Sequence, residues 1–130
     1  MGAWGVGPFD NDTAWNWIGN FEDDMEYQLI VDAFEIFLDV ESDYDPGDIE
    51  ESLIAAEIVA AKLGKPSADF PEDLDVNQIP WSVDQQLQFN ARRVVARLQI
   101  DSTLEDFEYT SGDELVDWQS MLSDLYKRLS

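Results

Sequence analysis

The sequence predicts an all-α fold, in which a single domain of residues 1–130 places five or six helices around one central helix at about residues 49–63. The strongest indication is that Glu57 is the only polar residue between Leu53 and Ala61. A helix that is apolar nearly all round is covered on most sides by its neighbours. A second indication is a set of capping boxes, the patterns that open helices, at Ser82, Ser102 and Ser111.

The first half of the chain predicts two helices before the central one. The first covers about residues 12–20. The second covers residues 25–40, because its apolar residues recur at helical spacing, namely Leu29, Ile30, Ala33, Phe37 and Leu38. Pro46 suits the first position of the central helix, and Gly64 suits its end.

The second half predicts a surface connection at 65–81, fastened to the core by Phe70, Ile79 and Trp81. A helix at 82–99 follows, then a short helix at 103–108 and a last helix after Ser111. The last helix carries large apolar residues at helical spacing, at Leu115, Trp118, Leu122, Leu125 and Leu129.

The opening segment contains glycines where a helix would not, at Gly5 and Gly7. Its large side chains, Trp4 and Phe9, are predicted to enter the core and hold the N-terminus in place. The polar residues that follow suit helix capping, although a cation or ligand beside the glycine turn is the alternative interpretation: Asp10, Asn11 and Asp12. A phosphate-binding loop is excluded because no Lys follows the glycines.

The first 17 residues, Met-Gly-Ala-Trp-Gly-Val-Gly-Pro-Phe-Asp-Asn-Asp-Thr-Ala-Trp-Asn-Trp, resemble the opening of a bacterial domain family of unknown function. Its members begin Met-Gly-x-Trp-Gly-x-Gly-x-Phe-x-Asn-Asp. The resemblance continues in the Ala-rich helix and Gly-Lys-Pro of residues 49–66 and in Phe-Pro-Glu at 70–72. Asn16 stands where the family usually has Asp. The resemblance implies a small bacterial domain and supplies no activity.

The charge of the chain is strongly unbalanced, with 29 acidic and 7 basic residues and a net charge of −22. Residues 1–61 contain sixteen Asp and Glu and no Lys or Arg. Direct binding to nucleic acid or to an anionic membrane is disfavoured, because both need Lys and Arg. A basic protein partner is favoured. Solubility, or a salt-rich habitat, is the alternative explanation.

The absence of Cys and His excludes disulfides, Cys nucleophiles, His bases and ordinary zinc sites, and no cofactor is expected. The acid-dense stretch around Gly47 invites a calcium interpretation, but an EF-hand register places Leu53 at the closing Glu position, so no metal site is predicted. No signal-peptide pattern and no apolar run of membrane-spanning length is present. A cytoplasmic location is therefore expected.

Glu57 is the most informative single residue, since a buried carboxylate without a partner costs several kcal/mol. The sequence predicts that it pairs with an arginine of the 82–99 helix, at Arg92, Arg93 or Arg97. A catalytic or ligand-binding carboxylate is one alternative, and a solvated position is another.

The preferred hypothesis is a non-enzymatic acidic interaction domain, such as an immunity-type inhibitor of a toxin or a mimic of nucleic acid charge. The residues predicted to bind the basic partner lie in the acid-dense turn and helix start: Glu41, Asp43, Asp45, Asp48, Glu50 and Glu51. The alternatives are a small hydrolase built on carboxylates or a metal, and a structural or regulatory domain whose charge serves solubility.

Overall fold

The computed structural model describes residues 12–39, 46–68, 70–71, 74–100 and 112–130. Within these ranges the chain forms five α-helices and one 3-10 turn, and no strand. The elements are α1 (Asp12–Asp24), α2 (Tyr27–Leu38), α3 (Pro46–Lys62), the 3-10 turn (Val76–Gln78), α4 (Gln85–Ile100) and α5 (Gly112–Arg128). The all-α prediction is confirmed.

Helix α3 is the centre of the fold, as its apolar run predicts. It contacts each of the other four helices. Every residue from Ser52 to Ala61 is buried. Three of its alanines have no exposed surface, so neighbouring backbones can approach closely there: Ala55, Ala56 and Ala60. Ser52 is accommodated because its hydroxyl donates to the Ile49 carbonyl at 2.8 Å.

The ends of α3 follow the residues that predict them. Pro46 occupies the first helical position, where its missing N–H costs nothing. Gly64 adopts φ +86°, in the left-handed region. The N–H groups of Gly64 and Lys65 donate to the carbonyls of Ala61 and Ala60 at 3.0 and 2.9 Å, respectively. This is the Schellman arrangement, which satisfies the last carbonyls of a helix.

The corner between α1 and α2 lies at Met25, later than the sequence indicates for the end of α1. Met25 has φ +50°, and its N–H donates to the Phe21 carbonyl at 2.6 Å. A non-glycine residue in this conformation stops the helix, so α2 begins at Tyr27 rather than at residue 25.

Trp81 fastens the connection after α3 to three other parts of the fold. Its indole N–H donates to the Met25 carbonyl at 2.7 Å. Its ring makes edge contacts with Phe21 and Tyr27, at centroid distances of 6.5 and 5.5 Å. The Lys62 ammonium lies 5.9 Å from the ring centroid. The connection is thereby held against α1, α2 and α3.

The cap of α4 is Asp84, so the prediction of Ser82 is corrected. The Asp84 carboxylate accepts hydrogen bonds from the Leu87 N–H at 2.7 Å and from the Tyr27 hydroxyl at 2.8 Å. These bonds lower the pKa of Asp84, the Leu87 N–H first and the Tyr27 hydroxyl second. Burial, and then the neighbouring Asp84, raise the pKa of Tyr27. Asp84 thus caps α4 and also contacts Tyr27 of α2, which favours it over Ser82 as the cap.

Several predictions fall outside the described residues. These are the burial of Trp4 and Phe9, the roles of Gly5, Gly7, Asp10 and Asn11, and the short helix at 103–108. Asp12 is the first residue of α1. None of the helices that the structure describes is both long and apolar enough to cross a membrane.

Candidate functional site

Glu57 lies in the middle of α3 with no exposed surface. Both of its carboxylate oxygens accept hydrogen bonds from the guanidinium of Arg128, at 2.7 Å for Oε1 and 3.1 Å for Oε2. Arg128 also donates through Nε to Asp124 at 2.8 Å and through Nη1 to the Lys65 carbonyl at 3.3 Å. The contact is a bidentate, charge-assisted pair of the strong kind.

The prediction that the partner of Glu57 is Arg92, Arg93 or Arg97 is corrected, since Arg128 of α5 occupies both carboxylate oxygens. Helices α4 and α5 both contact α3, and the carboxylate of Glu57 faces the last turn of α5. Arg97 has a different role: it donates to the Leu38 carbonyl at 2.8 Å and lies 5.6 Å from the centroid of the Phe37 ring.

The arrangement around Glu57 suits a structural pair better than an acid–base catalyst. Burial works to lower the pKa of Arg128, but the hydrogen bonds and charges of Glu57 and Asp124 outweigh it and raise that pKa. The guanidinium therefore stays charged, and its fork holds both carboxylate oxygens in place. We therefore interpret the Glu57–Arg128 pair as a structural contact between α3 and α5.

The predicted acid-dense turn is only partly within the described residues, since Glu41, Asp43 and Asp45 lie outside them. Asp48 and Glu51 are half-buried on α3, and both take part in interactions within the chain. Glu50 is 7% exposed. A buried carboxylate cannot reach a partner surface, so Glu50 contributes least to a binding site there.

A more exposed row of acids lies on α2, and we call it the acidic α2 surface. It consists of Asp32 and Glu35, of Asp39, which caps the C-terminal end of α2, and of Ile36, which lies one helical turn after Asp32. The three acids are exposed, and Ile36 is 50% exposed. Gln28 extends the row by one turn and donates to Asp32 at 2.7 Å.

Three further exposed acids lie at the α1–α2 corner, at Glu22, Asp23 and Glu26. No basic residue occurs before residue 62, so α1 and α2 supply no positive charge of their own. Arg97 of α4 brings its guanidinium to the end of α2, at the Leu38 carbonyl. A concentration of one charge sign produces a field that attracts oppositely charged molecules and speeds their association.

The sequence interpretation missed Ile36, although the signal was present. The apolar residues that predict α2 leave Ile36 at the border of the polar face, next to Asp32 on the helix. An aliphatic side chain at such a border indicates either the edge of the core or an exposed contact. Ile36 is 50% exposed, so it lies outside the core.

No group of three or more carboxylates is placed to hold a metal ion within the part of the chain that the structure describes. In comparisons with known proteins, a family model described as "Domain of unknown function (DUF4259)" matches residues 2–121. No curated protein and no solved structure matches the chain.

Proposed function

We propose that this chain, which belongs to DUF4259, a family of unknown function, is a non-enzymatic interaction domain that binds a basic protein. The observation that carries this proposal is the acidic α2 surface, in which three exposed acids flank a half-exposed isoleucine.

The chemistry of this surface suits a protein partner with exposed Lys or Arg. The acids attract such a partner over a distance of about one Debye length, roughly 8 Å at physiological ionic strength. Ile36 then supplies apolar area, which charges alone do not provide. A central apolar anchor surrounded by polar contacts is the usual arrangement of an energetic hot spot.

The acids at the α1–α2 corner extend the field without being required for contact. Asp48, Glu51 and the acids between residues 41 and 45 form a second part of the proposed contact region. Glu50 is left out of it because of its burial. A toxin inhibited by an immunity-type protein, or a nucleic-acid-binding protein whose basic groove the acids mimic, fits this chemistry. We place the domain in the cytoplasm.

The glycine-rich opening has a structural role in this proposal. Its residues lie outside the described part of the chain, and we expect Trp4 and Phe9 to enter the core and Asp10 and Asn11 to cap α1, whose first residue is Asp12. They are kept apart from partner contact, and loss of stability rather than loss of binding is the expected effect of Trp4→Ala.

Affinity capture from an extract of the native host tests the proposal. The wild-type chain is compared with the double variant Glu35→Gln, Asp39→Asn and with Ile36→Ala. We expect the wild type to retain one discrete basic protein at moderate salt, and both variants to retain less of it, since each removes one component of the acidic α2 surface.

Two variants outside α2 provide matched controls. Asp75→Asn with Asp117→Asn also removes two exposed acids, and asparagine can keep the cap that Asp75 gives the 3-10 turn. Val116→Ala also shortens an aliphatic side chain, which is 59% exposed. Equal retention by the α2 variants and the wild type would refute the proposal. Solubility as the purpose of the charge predicts that no discrete protein is retained at all.

A further inference from the structure

Helix α4 has a charge opposite to that of the rest of the chain. Residues 85–100 contain three arginines and no Asp or Glu, although the chain has 29 acids in 130 residues. Its polar side chains are amides and guanidiniums. A surface helix of so acidic a protein would ordinarily contain some Asp or Glu. Their absence from α4 suggests that the exposed face of this helix has a role of its own.

Two of the three arginines have no carboxylate partner among the described residues, namely Arg92 and Arg93. Arg93 is exposed and Arg92 half-exposed. The guanidinium of Arg93 lies 5.7 Å from the centroid of the Phe89 ring, within the range of a cation–π contact. With four acids for each base in the chain, an arginine is expected to form an ion pair, and within the part of the chain that the structure describes these two do not.

A groove of about 270 Å³ lies between α4 and α5 at this point. It is lined by Phe89, Arg92, Arg93, Ala96 and Tyr126, and we call it the α4–α5 groove. Phe89 is 49% exposed and Tyr126 is 37% exposed. Exposed aromatic rings beside arginines are the composition that dominates binding energy at protein interfaces.

The helices on the two sides of the groove are bonded to each other. Gln88 donates to the Leu129 carbonyl at 2.7 Å, which ties the start of α4 to the end of α5. Leu87 and Ala91, on the inner side of α4, are 1% and 0% exposed. The rings and guanidiniums therefore stand on a rigid base, and little conformational entropy of the backbone is lost on binding.

We propose that the α4–α5 groove binds an acidic peptide segment that carries an apolar side chain and belongs to a second protein. The carboxylates of the segment pair with Arg92 and Arg93, and its apolar side chain packs between Phe89 and Tyr126. At physiological ionic strength, charges more than roughly 8 Å away are largely screened, so the two arginines that line the groove dominate the local attraction. This surface is separate from the acidic α2 surface and does not depend on the function proposed for it.

The test measures binding of a dye-labelled synthetic peptide that alternates glutamate with leucine, by fluorescence anisotropy at physiological ionic strength. We expect Arg92→Gln with Arg93→Gln to weaken binding by about tenfold or more, as loss of an interface hot spot does. Phe89→Ala should also weaken it. Lys65→Gln with Lys127→Gln removes the same charge outside the groove and should leave binding unchanged. Because all these side chains are exposed or half-exposed, thermal melts should show every variant folded.

Four results would overturn the proposal. The peptide does not bind; the lysine variant weakens binding as much as the arginine variant; a glutamine–leucine peptide binds equally well; or a single-stranded oligonucleotide depends on the two arginines more strongly than the peptide does. Sedimentation of the domain alone provides a fifth, because self-association that the arginine variant abolishes would make a second copy the occupant.

Discussion

The carboxylate of Glu57 and the guanidinium of Arg128 form a two-point contact between residues that are 71 positions apart in the chain. The pair fastens the last turn of α5 to the middle of α3. Nearby, Lys65 donates to the Ser130 carbonyl at 3.3 Å, and Leu129 is fully buried. The C-terminal turn is therefore part of the core.

The first prediction concerns this pair. Glu57→Ala should lower the free energy of unfolding by about 3–5 kcal/mol, because the partly buried Arg128 charge loses its bidentate partner and keeps only the exposed Asp124 as a carboxylate partner. Urea denaturation monitored by tryptophan fluorescence measures the loss. Arg128→Ala should cost a similar amount.

An apolar replacement of both partners separates pairing from packing. Glu57→Leu with Arg128→Met should recover most of the lost stability, since a buried ion pair replaced by apolar residues of similar volume is often neutral. A double variant as unstable as the sum of the two single ones would show that the two side chains act independently, contrary to the structure.

The second prediction concerns the Asp84 cap. Asp84→Ala should cost about 1 kcal/mol, as loss of an N-cap does. The folded-state pKa of Asp84 is lowered, so its ionised form stabilises the fold. That contribution is complete above the ordinary value of 3.8 and is lost as the pH falls through the lowered pKa.

Asp84→Asn tests the pH dependence, because asparagine also caps helices and does not titrate. The stability difference between the wild type and Asp84→Asn should shrink as the pH falls below about 4. Tyr27→Phe, which removes one hydrogen bond to Asp84, should make the acid dependence weaker than in the wild type. If the free energies of unfolding of the wild type and Asp84→Asn fall in parallel as the pH is lowered, the role of Asp84 as an ionised cap is contradicted.

The third prediction compares two glycines that both have open space for a Cβ atom. Gly19→Ala, inside α1, should stabilise the protein by about 0.5–1 kcal/mol, because alanine loses less backbone entropy in a helix. Gly64→Ala should destabilise it by about 1–2 kcal/mol, since Gly64 has φ +86°. Thermal melts of the two variants should shift in opposite directions, and a common direction would refute this account.

The positions of the helices follow from the sequence because apolar spacing reports which residues face the core. The central helix is the clearest case, since nine consecutive residues hold only one polar side chain. The exact boundary at Met25 does not follow, because methionine carries no signal for a left-handed conformation. Ser82 and Asp84 are both good caps, and the Tyr27 contact that favours Asp84 spans 57 positions in the chain.

The partner of Glu57 is likewise not predictable from the sequence. Helical periodicity predicts that Glu57 is buried and needs a positive charge, but not which neighbouring helix supplies it. The acidic α2 surface can be predicted in part, because residues 1–61 contain sixteen acids and no Lys or Arg. Which acids are exposed depends on how α2 packs on α3, and Glu50 shows that an acid in a dense run can be buried.

The most direct test of the central claim is the association rate of the captured basic protein with the domain, measured by stopped-flow fluorescence at low and at moderate salt. Electrostatic steering makes this rate fall steeply with salt. We predict a clearly shallower fall for Glu35→Gln with Asp39→Asn than for either the wild type or Asp75→Asn with Asp117→Asn. Equal salt dependence for all three proteins would contradict the claim that the acidic α2 surface recognises the partner.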